Sequence, residues 1–249
     1  MRHSRVEDGM ATAGPWQDWH GDALIIGIGG IGSAMRAELA RRAPGLRLIT
    51  AGRRQGELRL DLEEEGSIEA FGLQARELIS TLRLVVVCSG WLHGDGLMPE
   101  KRLSQVSRQA FARSFAINGF GPLLLARELE PLLPRHERSH FASLSARVGS
   151  IGDNQLGGWY AYRAAKAAQN QLLKTLAIEW SRRLPLTCVT LLHPGTTATA
   201  LSGPFQAGVP AERLFSPQRA AGQLLDVLET QGPHQSGQFL AWDGQTIPW

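Results

Sequence analysis

The chain alternates short, nearly continuous apolar runs with longer stretches in which apolar and polar residues mix. Ala23–Ile26, Leu82–Cys88 with its three consecutive valines, and Leu186–Leu192 read as strands buried on both faces, because a strand with one wet face would alternate in polarity. Leu46–Ala51, Leu58–Leu62, Phe141–Ser145 and Gln238–Ala241 read as further strands. Between them, helical composition covers Ile31–Arg42, Ser67–Leu78, a long stretch from about Ser104 to Glu128, Trp159–Arg182 and Pro217–Leu228. Repeated strand–helix alternation around doubly buried strands predicts a single α/β domain. Its parallel sheet would be doubly wound, with helices on both faces and ligands at the strands' carboxyl ends.

Two stretches break the pattern. Residues 1–20 carry Arg2, Arg5, Trp16 and Trp19 but no apolar run, which predicts a flexible N-terminal tail and leaves 21–249 as the domain. Thr196–Ser216 carries Gly203, Pro204, Gly208 and Pro210, a composition that suits a flap over a site. Composition adds limits. The 249 residues, 43% hydrophobic, suffice for one large core. The 26 Lys and Arg against 23 Asp and Glu leave only +3, so nucleic acid is not an expected partner. No run approaches the roughly 20 apolar residues that span a bilayer, so no membrane partner is expected either. Cys88 and Cys188 both sit inside apolar runs and read as small buried hydrophobes, not a bridge, which fits a cytoplasmic protein.

Directly after the first strand comes Gly27-Ile28-Gly29-Gly30-Ile31-Gly32, in which Gly27, Gly29 and Gly32 fit G-x-G-x-x-G between a strand and a helix. Glycines permit the tight turn and close backbone approach, and the helix N-terminus attracts a pyrophosphate. Gly27, Gly29, Gly30, Ile31 and Gly32 are therefore expected to hold a dinucleotide in a Rossmann-type fold. Roughly 20 residues on, where a carboxylate would hold the ribose 2′-hydroxyl of NAD, stands Thr50-Ala51-Gly52-Arg53-Arg54. Two guanidiniums suit a 2′-phosphate and favour NADP over NAD; otherwise Arg53 and Arg54 are solvated loop charges. Asp61, ending the third strand, is either an adenine contact or a turn residue.

Tyr162 stands four residues before Lys166 in a helical stretch, so the two share a face. A free phenol titrates at about pH 10. A neighbouring ammonium would stabilise its ionised form and bring it nearer the range in which a general acid or base works. With the glycine turn, the pair points to nicotinamide-dependent carbonyl reduction or its reverse.

Together with Asn118, Tyr162-Arg163-Ala164-Ala165-Lys166, Pro194-Gly195 and Trp242-Asp243-Gly244, the glycine turn makes the chain from Ala23 to Trp249 resemble the short-chain dehydrogenase/reductase superfamily. Gly94–Leu103, Ser145–Ile151 and Gly157–Lys166 further resemble the C-factor-like subgroup and its carbonyl reductase relatives. The resemblance implies that Tyr162 exchanges a proton with the substrate oxygen as hydride moves to or from the nicotinamide. It implies that Lys166 lowers the Tyr162 pKa and bonds the nicotinamide ribose, and that Asn118 holds a water continuing the relay. It also implies that Pro194, Gly195, Thr196 and Thr197, and the stretch on to Thr199, lie along the nicotinamide and phosphates, and that the protein is a homodimer or homotetramer. The expected activity is NADP-dependent reduction of a ketone or aldehyde; the competing reading is a dinucleotide-binding scaffold or signalling protein with little turnover.

Three departures bear on that choice. The glycine turn is one residue shorter than the family's usual pattern. Val87-Cys88-Ser89-Gly90 stands where Asn-Asn-Ala-Gly is usual, keeping Gly90 for backbone approach but losing a bracing amide. Ala146 stands where the substrate-orienting serine is expected; its neighbour Ser145 is the catalytic candidate to replace it, on condition that the strand end shifts by a residue, and Ser150 in the following loop is a weaker substitute. Trp91, Trp159, Tyr160 and Phe205 could line an apolar pocket or serve packing. His93 and His193 lie near the site by chain position but read as structural hydrogen-bonders. His136-Glu137-Arg138-Ser139-His140 matches H-E-x-x-H, yet prolines 131 and 134 and the following strand leave no helix to align the two imidazoles, so a solvated loop and no metal are expected.

Overall fold

In the computed structural model, which describes residues 16–249, the apolar runs pair into one parallel sheet. The elements are β1 Gly21–Ile26, α1 Gly30–Arg42, β2 Leu46–Gly52, β3 Leu58–Arg59, α2 Glu65–Leu78, β4 Leu82–Val87, α3 Arg108–Ser114, α4 Gly121–Leu129, β5 Ser139–Leu144, α5 Tyr160–Arg183, β6 Thr187–His193, β7 Thr196–Thr197, β8 Leu214–Phe215, α6 Pro217–Glu229 and β9 Gln238–Ala241. The main sheet runs β3-β2-β1-β4-β5-β6-β9, every neighbour parallel. Every residue of β4 and β5 is buried, which is why neither strand alternates in polarity. One face packs residues of α2, α4 and α5 (Phe71, Leu125, Trp180) and the other residues of α1 and α6 (Met35, Leu39, Leu224, Leu228). This is the expected doubly wound Rossmann-type fold. Among the described residues no helix is long and apolar enough to cross a membrane.

The long helix expected from about Ser104 to Glu128 is broken. A short 3-10 turn at Leu103–Gln105 precedes α3, and a wide-turned π segment at Phe115–Phe120 separates α3 from α4. Gly119, Gly121 and Pro122 account for the break: glycine is a poor helix former and proline lacks the N–H that a regular turn would use. Gly121 also packs closely, since a Cβ there would lie 2.6 Å from the Ala116 carbonyl oxygen.

The expected tail ends earlier than residue 20, and residues 1–15 lie outside the described residues. Trp16–Asp18 form a 3-10 turn, and Trp16 and Trp19 are buried. Their indoles lie 6.1 and 5.5 Å from the ring of His140, and the Arg83 guanidinium sits 4.5 Å above the Trp19 ring. Large aromatic surface gains too much from burial to remain in a solvated tail. His140 is likewise no solvated loop residue: it belongs to β5, is buried, and its Nδ1 has no hydrogen-bond partner.

That histidine carries a stability prediction. Burial, reinforced by the Arg138 and Arg83 cations, pulls the imidazole down from 6.5 to about 4. The unfolded chain then takes up this proton at higher pH than the folded one, so the contribution is complete above 6.5 and is lost as pH falls through about 4. Within that window the loss is at most about 1.4 kcal/mol per pH unit. Asp22, Glu38 and Glu57 are also held below their usual values, and their losses come at lower pH still. Urea unfolding on both sides of the window should show the fall, and His140→Phe should flatten it. An equal slope in the variant would remove His140 as the cause.

Candidate active site

The site forms where the strand order reverses, between the carboxyl ends of β1 and β4. Gly27, at a φ of +92°, turns the chain there while its N–H donates to the Ala51 carbonyl at 2.8 Å, and the Cys88 N–H donates to the Ile26 carbonyl at 2.7 Å. α1 then starts with no side chain capping its N-terminus. Its first N–H groups are left for whatever approaches Gly29, Gly30, Ile31 and Gly32, all of which line a cavity of about 560 Å³. Arg53, Arg54, Gly90, Ser145, Tyr162, Lys166 and Pro194 line the same cavity.

The remaining expected residues do not form part of this lining. Gly27 lies beneath the turn. Asn118 is fully buried and staples the loop after β4: its Nδ2 donates to the Trp91 carbonyl at 2.7 Å and to Ser114 Oγ at 3.1 Å, and its Oδ1 accepts the Trp91 N–H at 2.9 Å. It thus supplies bracing that Cys88 lacks. Asp61 takes the turn role: its Oδ1 accepts the Glu63 N–H at 3.0 Å, and its own N–H donates to Ser67 Oγ at 2.8 Å. Thr196 and Thr197 form β7 and pair with β8, fastening the two ends of the 196–216 segment to each other. Gly195, at a φ of +71°, lets that segment leave β6 close to the Phe215 and Trp242 rings.

The segment lies against the cavity. Thr199, Ala200 and Leu201 contribute to its wall, and the His93 Nε2 lies 3.1 Å from the Leu201 carbonyl oxygen. The Phe205 ring sits 5.8 Å from His93 and 5.0 Å from Trp159, which itself meets the Tyr162 ring edge-on at 6.2 Å. Trp91 thus lines the pocket, and His93 is both a wall residue and a structural hydrogen-bonder. They come from the loop after β4, where no periodicity marks them.

On α5 the phenol and the ammonium relate differently from expectation. Lys166 is buried, and its Nζ donates to the Leu144 carbonyl at 2.8 Å and to Gln169 Oε1 at 2.9 Å, 5.9 Å from the centre of the Tyr162 ring. Burial pulls the ammonium down from 10.5 to about 7, and burial also raises the phenol of Tyr162. In this state the phenol is therefore held protonated rather than eased toward the phenolate. Ser145 is committed too: its Oγ donates to Asn170 Oδ1 at 2.6 Å. Cys88 lines the cavity with its thiol pushed up to about 12 by burial, which makes it a poor nucleophile.

At the rim, Arg53 approaches Glu63 at 3.5 Å, Glu63 meets Arg113 at 3.0 Å, and Arg113 meets Asp95 at 2.5 Å. With Arg54, whose charge also acts on Asp95, three guanidiniums face two carboxylates, and Arg53 and Arg54 are exposed.

The short chain dehydrogenase family profile matches residues 22–209. The chain belongs to the short-chain dehydrogenase family. Its relatives include 1-hydroxy-2-glutathionyl-2-methyl-3-butene dehydrogenase of Rhodococcus sp. (strain AD45), 32% identical over 191 residues that cover 76% of this chain and 78% of that one. C-signal of Myxococcus xanthus is 35% identical over 148 residues, 59% of this chain and 83% of that one. A short-chain dehydrogenase/reductase from Burkholderia multivorans with bound NADP superposes with a TM-score of 0.76 at 25% identity, covering 93% of this chain and 100% of that one. As a short-chain dehydrogenase the protein is an NAD(P)-dependent oxidoreductase, and the C-signal match accords with the narrower C-factor-like resemblance.

The residues present fit the family's dinucleotide. The glycine turn is a cradle that side chains would fill: a Cβ on Gly32 would run into the Gly27 carbonyl oxygen, and one on Gly30 would lie 2.7 Å from Thr199 Cγ2. The shortened turn keeps an open helix N-terminus at the strand-order switch, which is what a pyrophosphate requires.

Proposed function

We propose that this short-chain dehydrogenase reduces a ketone or aldehyde to an alcohol, or runs the reverse, with NADP as its dinucleotide and Tyr162 as proton donor or acceptor. The observation that carries this reading is one cavity lined at once by the uncapped glycine turn, by Arg53 and Arg54, and by Tyr162 and Lys166. When bound, the dinucleotide supplies or takes up the hydride at the substrate carbon. Gly29, Gly30, Ile31 and Gly32 would hold its pyrophosphate, Arg53 and Arg54 a 2′-phosphate, and Pro194 its nicotinamide side.

Tyr162 gives its phenolic proton to the carbonyl oxygen as negative charge develops there, and a phenol kept neutral by burial suits that direction. Lys166 presents positive charge on the same helix face and offsets the charge left on the phenol. Ser145 stays on Asn170, so the substrate oxygen has one hydroxyl donor fewer than the family's usual serine would give. Missing one such donor costs about 10² to 10³ in rate without abolishing chemistry. Trp91, Leu201 and the Trp159–Phe205 pair favour a hydrophobic carbonyl compound. Association into a homodimer or homotetramer is part of this reading, to be checked by light scattering.

Fluorescence titration with NADPH and NADH, followed by loss of NADPH absorbance against ketones, aldehydes and quinones, tests it. Tighter binding of NADPH with turnover is expected. Arg53→Ala combined with Arg54→Ala should weaken NADPH about 10- to 100-fold and leave NADH unchanged, since only a 2′-phosphate needs the guanidiniums. An equal loss for both nucleotides would remove the NADP assignment. Ala146 and the C-signal relative favour a second reading, a dinucleotide-binding signalling protein. Binding without turnover across the panel would select it.

A further inference from the structure

Gln169 is fully buried behind Lys166, three residues on along the same helix. Its Oε1 accepts from Lys166 Nζ at 2.9 Å, while its Nε2 lies 2.7 Å from Ser143 Oγ and 3.2 Å from the Leu144 carbonyl oxygen. The Leu144 oxygen also accepts from Lys166 Nζ, at 2.8 Å. A carbonyl can only accept and an ammonium can only donate, so the amide fits this ring one way round. Its orientation is fixed from both ends, and two of the three ammonium N–H groups are used. We propose that Gln169 is a positioning residue that seats the Lys166 ammonium on a neutral acceptor, so that its charge and its third N–H reach the cavity uncompensated.

The amide's neutrality is the point of the arrangement. A carboxylate there would pair with the ammonium and cancel the field that Tyr162 requires, whereas an apolar side chain would leave a buried cation short of an acceptor. The groups facing Lys166 leave Gln169 as the side chain that sets this balance. On α5 the neighbour is Tyr162, held protonated by burial. From β5 come the Leu144 carbonyl oxygen on Lys166 Nζ and, on Gln169 Nε2, the Ser143 hydroxyl, both neutral. The 147–149 turn packs on Lys166 through Gly149, and its Arg147 is paired with Asp153 at 2.5 Å. Across the cavity lie Cys88, a protonated thiol, His93, and the Arg53 and Arg54 cations. His193, at the end of β6, is drawn down to about 4 by burial and is neutral near pH 7. The position of the Lys166 titration follows from burial, with no carboxylate contributing.

The inference rests on the proposed roles of Tyr162 and Lys166, but its test needs neither substrate nor coenzyme. In the coenzyme-free protein, the rate at which Lys166 is acetylated by acetic anhydride is followed against pH by mass spectrometry. Gln169→Glu should raise the midpoint by about 1 to 3 units, and Gln169→Leu should lower it. Gln169→Met, of similar length, replaces the leucine variant if that one fails to fold. In turnover, the high-pH limb should move in the same two directions, with kcat down about 10- to 100-fold in the apolar variant. Midpoints that stay in place, or that shift together, overturn the proposal, because a merely structural residue would lower activity without moving them apart. Turnover that survives Tyr162→Phe while the midpoints part as stated would instead strike the proposed function and leave the seating of Lys166 intact.

Discussion

Tyr162→Phe is expected to lower turnover by about 10² to 10⁴-fold while leaving NADPH binding within a few-fold of the parent. The substitution removes one hydroxyl and little else. The ring keeps its edge-on contact with Trp159 at 6.2 Å and its place 5.9 Å from Lys166 Nζ, so neither the cavity wall nor the ammonium need shift. The lost oxygen combines a transferable proton with a cation on the same helix face, Lys166. Cys88 has a thiol that burial keeps protonated, and the Ser145 hydroxyl is held by Asn170 at 2.6 Å. Neither of these two is a ready substitute for the phenol. The comparison requires single-turnover and steady-state rates, a nucleotide titration and a circular dichroism spectrum for both proteins. A variant retaining a tenth or more of the parent's turnover would remove Tyr162 from the chemistry.

The second large effect lies in the glycine turn, where the three positions should fail by different amounts. Gly32→Ala is expected to abolish measurable dinucleotide binding and to destabilise the fold by about 1 to 3 kcal/mol. Its Cβ would collide with the Gly27 carbonyl oxygen, approach the Gly27 carbonyl carbon at 3.0 Å and meet Cys88 Cβ at 3.4 Å. These are backbone and core atoms. Relief requires α1 to withdraw from β1, and the row of free N–H groups withdraws with it. Gly30→Ala should be milder, because its Cβ meets the Thr199 methyl group at 2.7 Å, the end of a side chain that can rotate. Gly29→Ala finds no heavy atom within 4 Å and should leave stability unchanged. Melting temperatures and NADPH affinities for the three variants give the ranking directly. Equal losses at Gly29 and Gly32 would contradict the packing argument.

The sheet was legible because its strands are buried on both faces. Runs such as Leu82–Val87 leave no other element to fit, whereas the order in which the strands pair is visible only in the fold. The break at Phe115–Phe120 was legible only as a disfavoured composition around Gly119, Gly121 and Pro122; which wider turn would form depends on packing against α5. Trp16 and Trp19 were assigned to the tail because no apolar run surrounds them, and the partners that bury them, Arg83 and His140, lie on distant strands. In the site, the residues that sequence spacing reached are those that share a local element: the glycine turn, and Tyr162 with Lys166. His93 and the 196–216 segment were reached by chain position alone; that Thr199, Leu201 and His93 meet in one wall follows only from the fold, because they stand on irregular connections. Gln169 was within reach, since residues three apart on a helix meet, but nothing local reveals that Ser143 and Leu144 hold its other end.

The strand order also bears on how the chain acquires its site during synthesis. β1 pairs on both sides, with β2 and β4, and β4 then waits for β5, which lies beyond the whole stretch that carries α3 and α4. On a ribosome the nucleotide-binding wall is therefore delivered first, with one flank of β4 still unpaired. The proton-handling helix follows, and Thr199–Leu201 close the cavity last. Every pairing in the sheet is parallel and bridges a crossover, so folding advances in steps that each need a long span of finished chain. The unfinished edge of β4 presents unpaired backbone N–H and C=O groups until β5 has docked.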